Sequence, residues 1–201
     1  GLNGGGTVAA DNRGDVYVAW HANAGAKDES GRAVFLAVST DNGITFGKEK
    51  KIDVTSAGAC GCCQMRAFAD SNGALYILYR SAAGDVERDS TLLVSTDKGA
   101  SFKSAVVEKW RIGACPMSSY AFAEAGGNVD IAWETQGRVS YGVASPGAGS
   151  RRIAVAPGRT APCKHPALAA DASGDVLLVW DEGTGWAKGG DLAWQIYNSA
   201  G

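Results

Sequence analysis

The stretch AFADSNGALYILYR, residues 67–80, shows the pattern on which the whole chain is built. A short apolar segment leads to an acidic residue, a glycine follows three positions later, and an apolar run then ends in an aromatic residue. The pattern recurs at residues 8–21, 121–134 and 167–182. Its acidic markers are spaced by 59, 54 and 47 residues and are Asp11, Asp70, Glu124 and Asp171. Repeats of this length with several strands each are typical of a β-propeller.

Each repeat also has the local chemistry of a β-hairpin. Asp, Asn or Ser beside Gly favours a tight turn, and runs such as VYVAW and VLLVW are apolar throughout, as in sheets buried on both faces. A third strand follows each pair. We therefore predict an all-β fold, a β-propeller of four-stranded blades. Four blades are visible, at about residues 1–57, 58–113, 114–160 and 161–201.

Two of the third strands run into STDNGITF, residues 39–46, and STDKGASF, residues 95–102. In such a turn Ser and Asp cap backbone amides, and Gly takes a positive φ. The aromatic ring is expected in the core, so we predict that Phe46 and Phe102 are buried. The element resembles the Asp box of sialidase-like (BNR-repeat) propellers. The resemblance implies six blades, of which this chain would be the C-terminal part; a ring of four blades is the alternative.

Composition limits the possible partners. A net charge of −2 in 201 residues gives no sign of nucleic-acid binding, and the longest apolar runs, of about five residues, are too short to span a bilayer. We expect a carbohydrate or another small molecule as the ligand. The cysteines, if they form disulfides, favour a secreted or periplasmic protein.

Antiparallel hairpins fix which end of each blade a residue occupies. Residues that precede a first strand and residues that follow a second strand fall at the same end, here called the mouth. All five cysteines lead into a first strand, together with both methionines and one of the two histidines. The candidate metal ligands among them are Cys60, Cys62, Cys63, Cys115, Cys163, Met117 and His165.

Three interpretations of this sulfur stay open. Disulfides could hold the mouth, although five cysteines leave one over. Thiolate, thioether and imidazole together favour a soft metal, copper or zinc. A third possibility is a reactive thiol, Cys62 or Cys63, beside Arg66 or Arg80.

The ends of the second strands add charged residues to the mouth. The sialidase resemblance implies arginines that clamp a sugar carboxylate and carboxylates that act as acid and base. The residues placed for catalysis are Arg80, Glu134, Asp181 and Glu182. Those placed for substrate binding are Arg66, His21 and Trp186.

Three functions follow from these observations. The first is a sialidase-like propeller that binds or hydrolyses a glycan at the mouth. The second is an exported propeller that holds copper or another soft metal in its Cys/Met/His cluster. The third is a propeller for interaction only, without chemistry of its own.

Overall fold

A computed structural model describes residues 5–23, 28–52, 54–84, 86–158, 162–185 and 187–198. These residues form β-strands and one 3-10 helix, Glu29–Gly31, and contain no α-helix. The strands are β1 (Gly6–Ala10), β2 (Val16–Asn23), β3 (Arg32–Ser39), β4 (Lys50–Ile52), β5 (Gly58–Ala59), β6 (Arg66–Ala69), β7 (Leu75–Ala82), β8 (Ser90–Ser95), β9 (Lys103–Glu108), β10 (Tyr120–Ala125), β11 (Asn128–Thr135), β12 (Arg138–Ala144), β13 (Ser150–Val155), β14 (Cys163–Ala170), β15 (Val176–Glu182) and β16 (Asp191–Tyr197). The prediction of an all-β chain is confirmed.

The strands form four antiparallel sheets, each of which meanders in chain order. The first sheet contains β1 to β4, the third β10 to β13, and the fourth β14 to β16. In the second sheet β5 and β6 both pair with β7, which continues through β8 to β9. Each sheet lies within one of the four ranges predicted for the blades. No helix in the described part of the chain is long and apolar enough to cross a membrane.

The chain divides into two compact units, each with its own core. The first unit, Gly1–Met117 with Pro146–Gly149, holds the first two sheets, and the second, Ser118–Ser145 with Ser150–Gly201, holds the other two. Side chains from both sheets of the first unit build its core, among them Tyr17, Leu36 and Ile77. In the second unit Trp180 and Val139 belong to the corresponding cluster.

Three acidic markers of the repeat, Asp11, Asp70 and Asp171, cap the turns that follow the first strands. Asp11 accepts hydrogen bonds from the backbone amides of the residues two and four positions later, at 2.9 and 3.0 Å. Asp70 and Asp171 accept the same two bonds in their own turns. The marker carboxylates therefore satisfy backbone donors that the hairpin leaves unpaired.

The two STD turns have the predicted geometry. Ser95 Oγ donates to Asp97 Oδ1 at 2.7 Å and accepts from the Gly99 amide at 2.7 Å, and Gly99 has a φ of 77°. The turn after Ser39 repeats these contacts. The prediction for Phe46 was wrong, because its side chain is 45% exposed, whereas Phe102 is half-buried against the core of the first unit.

The carboxylates of these turns predict an acid-sensitive component of stability. Hydrogen bonds from Ser101 and Ser95 hold the pKa of Asp97 at about 2, below the ordinary value of about 3.9. A depressed pKa stabilises the fold above the unfolded-state value, and that stabilisation is lost as the pH falls from about 4 towards 2. The denaturant concentration at the unfolding midpoint should therefore fall with pH over this range. We expect this fall to be smaller in Asp97→Asn than in the parent chain. The matched variant Glu49→Gln, at an exposed carboxylate, should leave the decline unchanged; an equal effect of both would contradict the assignment.

The register places the STD turn and the first cysteines at opposite ends of β7. Ser95, where the turn begins, pairs with Leu75 at the start of β7. Ala59, just before Cys60, pairs with Ser81 near the end of β7. A turn that follows a third strand is expected at the end opposite the mouth, because antiparallel strands alternate in direction, and the register of this sheet confirms it.

Candidate functional site

The cysteine-rich segment is a short loop between β5 and β6. It begins where the Cys60 amide donates to the Arg80 carbonyl oxygen at 2.9 Å, which extends the pairing of β5 with β7 by one residue. Within the loop the Gly61 amide donates to Glu29 Oε1 at 2.6 Å. A side chain on Gly61 would meet that carboxylate at 3.1 Å, so the small residue between the cysteines permits this close approach.

Four sulfur atoms converge at this loop. The Sγ atoms of Cys60, Cys62, Cys63 and Cys115 all lie within 4.8 Å of one another. Cys62 and Cys115 form a disulfide across 53 residues. Cys60 Sγ is 3.1 Å from Cys63 Sγ and 3.4 Å from Cys62 Sγ. The predicted convergence of the first cysteines with Cys115 is therefore confirmed.

The thiols of the loop have unequal surroundings. Cys60 and Cys63 are buried, Cys62 is half-buried and Cys115 is exposed. The hydrogen bond with Cys63 raises the pKa of the Cys60 thiol, and burial raises it further. Cys62, one of the two residues predicted as a reactive thiol, is held in the disulfide.

Polar side chains from β2, from the 3-10 helix and β3, and from the segment before β8 lie beside the loop. Glu29 Oε2 accepts from Arg88 at 3.1 Å, and Arg32 contacts His21 Nδ1 at 3.1 Å. His21 is 2% exposed, and its ring lies against the backbone of Cys63. The buried nitrogens His21 Nε2, Arg32 Nε and Arg88 Nε have no hydrogen-bond partner among the described residues. Burial, and then the charge of Arg32, lower the pKa of His21.

Of the other predicted metal ligands, Met117 belongs to the first unit, and Cys163 and His165 belong to the second. Met117, two residues after Cys115, is 45% exposed and has a φ of 48°. Cys163 belongs to the second unit, where burial, and then the charge of Glu182, raise the pKa of its thiol. His165, also in the second unit, contacts Asp181.

In the second unit β11 and β14 bring two charged residues together. Glu134, near the end of β11, is 3% exposed and accepts two hydrogen bonds from Ser119, one from the amide at 2.6 Å and one from Oγ at 2.8 Å. Its other oxygen is 3.3 Å from Lys164 Nζ. Such a satisfied buried carboxylate supports the local structure.

Beside this pair lies a second one that is open to solvent. His165 Nδ1 is 2.8 Å from Asp181 Oδ2, and their side chains are 50% and 39% exposed. The register of β14 against β15 shifts between Lys164 and Ala167, and His165 has a φ of 52°. Bulges of this kind redirect a side chain and are frequent beside active sites.

The remaining predicted site residues have different environments. Arg80 is 1% exposed, donates to the Arg88 carbonyl oxygen at 2.7 Å and lies 5.0 Å from the centre of the Trp110 ring. Glu182 is 6% exposed and accepts from the Trp180 indole at 2.9 Å. Arg66 is exposed at the start of β6. Trp186 lies outside the described residues.

Sequence reasoning missed Lys164 and the Glu29–Arg88 pair. Lys164 lies at the start of β14 between two residues that were singled out, Cys163 and His165, so the same positional argument could have identified it. Glu29 lies in the loop after the second strand of the first repeat, and only the structure shows its contact with the cysteine loop.

Comparison with known proteins gives a likeness of structure only. No family model matches the chain, and no curated protein matches it. A Hadza microbial sialidase is 12% identical with a TM-score of 0.64, and the match covers 98% of this chain and 44% of that one. An α-L-arabinofuranosidase from Fusarium graminearum is 12% identical with a TM-score of 0.65, and the match covers 95% of this chain and 60% of that one. An ulvan lyase, which is a polysaccharide lyase, is 15% identical with a TM-score of 0.61, and the match covers 98% of this chain and 56% of that one. The chain thus spans about half the length of these proteins and has the fold of the matching parts.

Proposed function

We propose that this chain is part of a sialidase-like, carbohydrate-active β-propeller, and that its second unit binds a glycan at the His165–Asp181 pair. The observation that carries the proposal is the exposure of that pair, at 50% and 39%. Among the predicted catalytic carboxylates described, Glu134 and Glu182 are buried and hydrogen-bonded. Asp181 is the carboxylate that a sugar can reach.

The chemistry of the pair suits a carbohydrate. A carboxylate and an imidazole accept and donate hydrogen bonds to sugar hydroxyls, and a carboxylate held by a histidine can act as acid or base in glycosidic bond cleavage. Lys164, 21% exposed beside Glu134, adds a positive charge that would favour an acidic sugar. The fold adds an argument by analogy, since its structural neighbours include a sialidase, an arabinofuranosidase and a lyase.

The test is the isosteric variant Asp181→Asn. If Asp181 is the acid/base residue, the variant should turn over a fluorogenic glycoside that the parent chain cleaves about 100- to 10,000-fold more slowly than the parent does. The unfolding free energy should change by less than about 0.5 kcal/mol, as is usual for a partly exposed position. The control is Glu49→Gln, which removes an exposed carboxylate of the first unit.

The substrates should include a sialoside, an arabinofuranoside and a uronic-acid polysaccharide, with binding measured beside turnover. Binding that Asp181→Asn removes, without turnover by the parent chain, would identify a non-catalytic glycan-binding protein. Neither binding nor turnover of any of them would refute the proposal. His165→Asn, which tolerates the positive φ of this position, should weaken binding without unfolding the chain.

We also propose that the protein works in an oxidising compartment, outside the cell or in a periplasm. The disulfide between Cys62 and Cys115 supports this, because such bonds persist chiefly in exported proteins. Alkylation of protein drawn directly from its native compartment should leave both cysteines unmodified until a reductant is added.

A further inference from the structure

We propose that Cys60, Cys62, Cys63 and Cys115 form a tetrathiolate zinc site when the Cys62–Cys115 disulfide is reduced. The proposal concerns the first unit and is independent of glycan binding by the second. Its basis is the convergence of the four Sγ atoms within 4.8 Å. Tetrahedral zinc with Zn–S bonds of about 2.3 Å places its sulfurs about 3.8 Å apart, and the separations of 3.1 and 3.4 Å around Cys60 are already close to this.

The ligand set selects the metal. Four thiolates in a tetrahedral arrangement are the ligands of structural zinc, whereas copper(I) sites commonly recruit methionine as well. Met65 packs in the apolar core of the first unit, and the four converging sulfur atoms all belong to cysteines. The structure therefore offers sulfur as thiolate, which favours zinc over the copper that the sequence also suggested.

The surroundings of the loop supply a second argument. A zinc ion with four thiolates carries a net negative charge and needs nearby hydrogen-bond donors. Arg32 Nε is buried without a partner among the described residues, and it would lie only 3.4 Å from a side chain placed on Gly61. The ring of His21 lies against the Cys63 backbone beside it. In the zinc form the guanidinium of Arg32 would balance part of the negative charge of the thiolates.

The disulfide and the metal are mutually exclusive, so oxidation should release the ion. In the zinc form Cys62 and Cys115 are thiolates. One molecule of a small disulfide such as oxidised glutathione accepts their two electrons: the Cys62–Cys115 bond forms, the S–S bond of the reagent breaks, and two molecules of reduced glutathione and Zn²⁺ leave. Four protons are taken up, two by the glutathione thiolates and two by Cys60 and Cys63, which return to the thiol form. Exposure of Cys115 gives the oxidant access to the pair.

The experiment uses the full chain, reduced and kept free of oxygen, with Co²⁺ as a spectroscopic probe. We expect sulfur-to-cobalt charge-transfer bands and the strong visible bands of a tetrahedral thiolate site, both lost when about one equivalent of Zn²⁺ is added. Cys63→Ser should weaken or abolish the spectrum. Cys163→Ser, the matched control at the cysteine of the second unit, should leave it unchanged.

Oxidation of the zinc-loaded chain with oxidised glutathione provides a second readout. About one zinc per chain should appear in a chromogenic assay as two cysteine thiols of the chain are lost and two molecules of reduced glutathione form, and peptide mapping should find Cys62 joined to Cys115. Circular dichroism of each variant separates loss of the site from loss of the fold. A reduced, folded chain that gives no thiolate–cobalt spectrum would overturn the proposal. So would zinc that stays bound after the disulfide has formed, or tight copper(I) binding without any affinity for zinc.

Discussion

Replacing Cys115 with alanine should lower the unfolding free energy of the oxidised, metal-free first unit by about 4 kcal/mol. The Cys62–Cys115 disulfide joins residues 53 positions apart, and closing a loop of that length removes about this much conformational freedom from the unfolded chain in the entropic model. Cys115 is exposed, so the substitution leaves no cavity that could account for the loss. Denaturant unfolding of the oxidised parent and variant measures the difference.

The same two proteins in the presence of a reductant and a chelator provide the control. Without the crosslink both should unfold at nearly the same denaturant concentration, because the side chain itself contributes little. A deficit of about 4 kcal/mol that persists in reductant would mean that Cys115 stabilises the unit by packing, in conflict with its exposure.

Part of the convergence of Cys62 and Cys115 was predictable, because strand direction fixes the end of a sheet at which a residue lies. Each precedes the first strand of a repeat, and alternating hairpins carry such positions to the same end of their sheets. The capped turns at Asp70 and Asp97 were predictable for a related reason, since their contacts join residues only two to four positions apart. The alternating direction of the strands determines the first feature, and hydrogen bonds between near neighbours in the chain determine the second.

Burial at the ends of the second strands was not predictable. Arg80 and Asp181 follow the last aromatic residue at equivalent positions of the repeat, yet Arg80 is 1% exposed and the Asp181 side chain 39%. The difference comes from distant residues: Arg80 lies against Trp110 and under the segment around Arg88. Such coverage depends on the length and path of loops that have no repeating pattern.

The two phenylalanines of the STD turns differ for a similar reason. Phe102 leads directly into β9, which begins at Lys103 and holds the ring against the core. Phe46 is followed by three residues outside any strand before the short β4, Lys50–Ile52, begins. The same motif thus forms the turn in both places, but the extent to which the aromatic ring is buried depends on how soon the next strand follows.

Arg80→Ala should lower the unfolding free energy of the first unit by about 3 kcal/mol. The side chain is buried, its guanidinium donates to the Arg88 carbonyl oxygen at 2.7 Å, and it lies 5.0 Å from the centre of the Trp110 ring. A charge-assisted hydrogen bond contributes about 1.5–3 kcal/mol, and a desolvated cation–π contact about 2; the two overlap in one side chain. Denaturant unfolding in oxidising buffer measures the loss.

Two variants separate this structural role from the anion clamp that the sialidase resemblance implies. Arg66→Ala removes an exposed arginine from β6, the strand paired with β7, and should change stability by less than about 0.5 kcal/mol. Arg80→Lys keeps the charge but lacks the planar group that stacks on Trp110, so its stability should lie between those of the parent and Arg80→Ala. If Arg80→Ala instead keeps full stability and abolishes binding of an acidic glycan, the prediction fails. Arg80 would then contact the ligand, and its buried contacts would contribute little to the stability of the first unit.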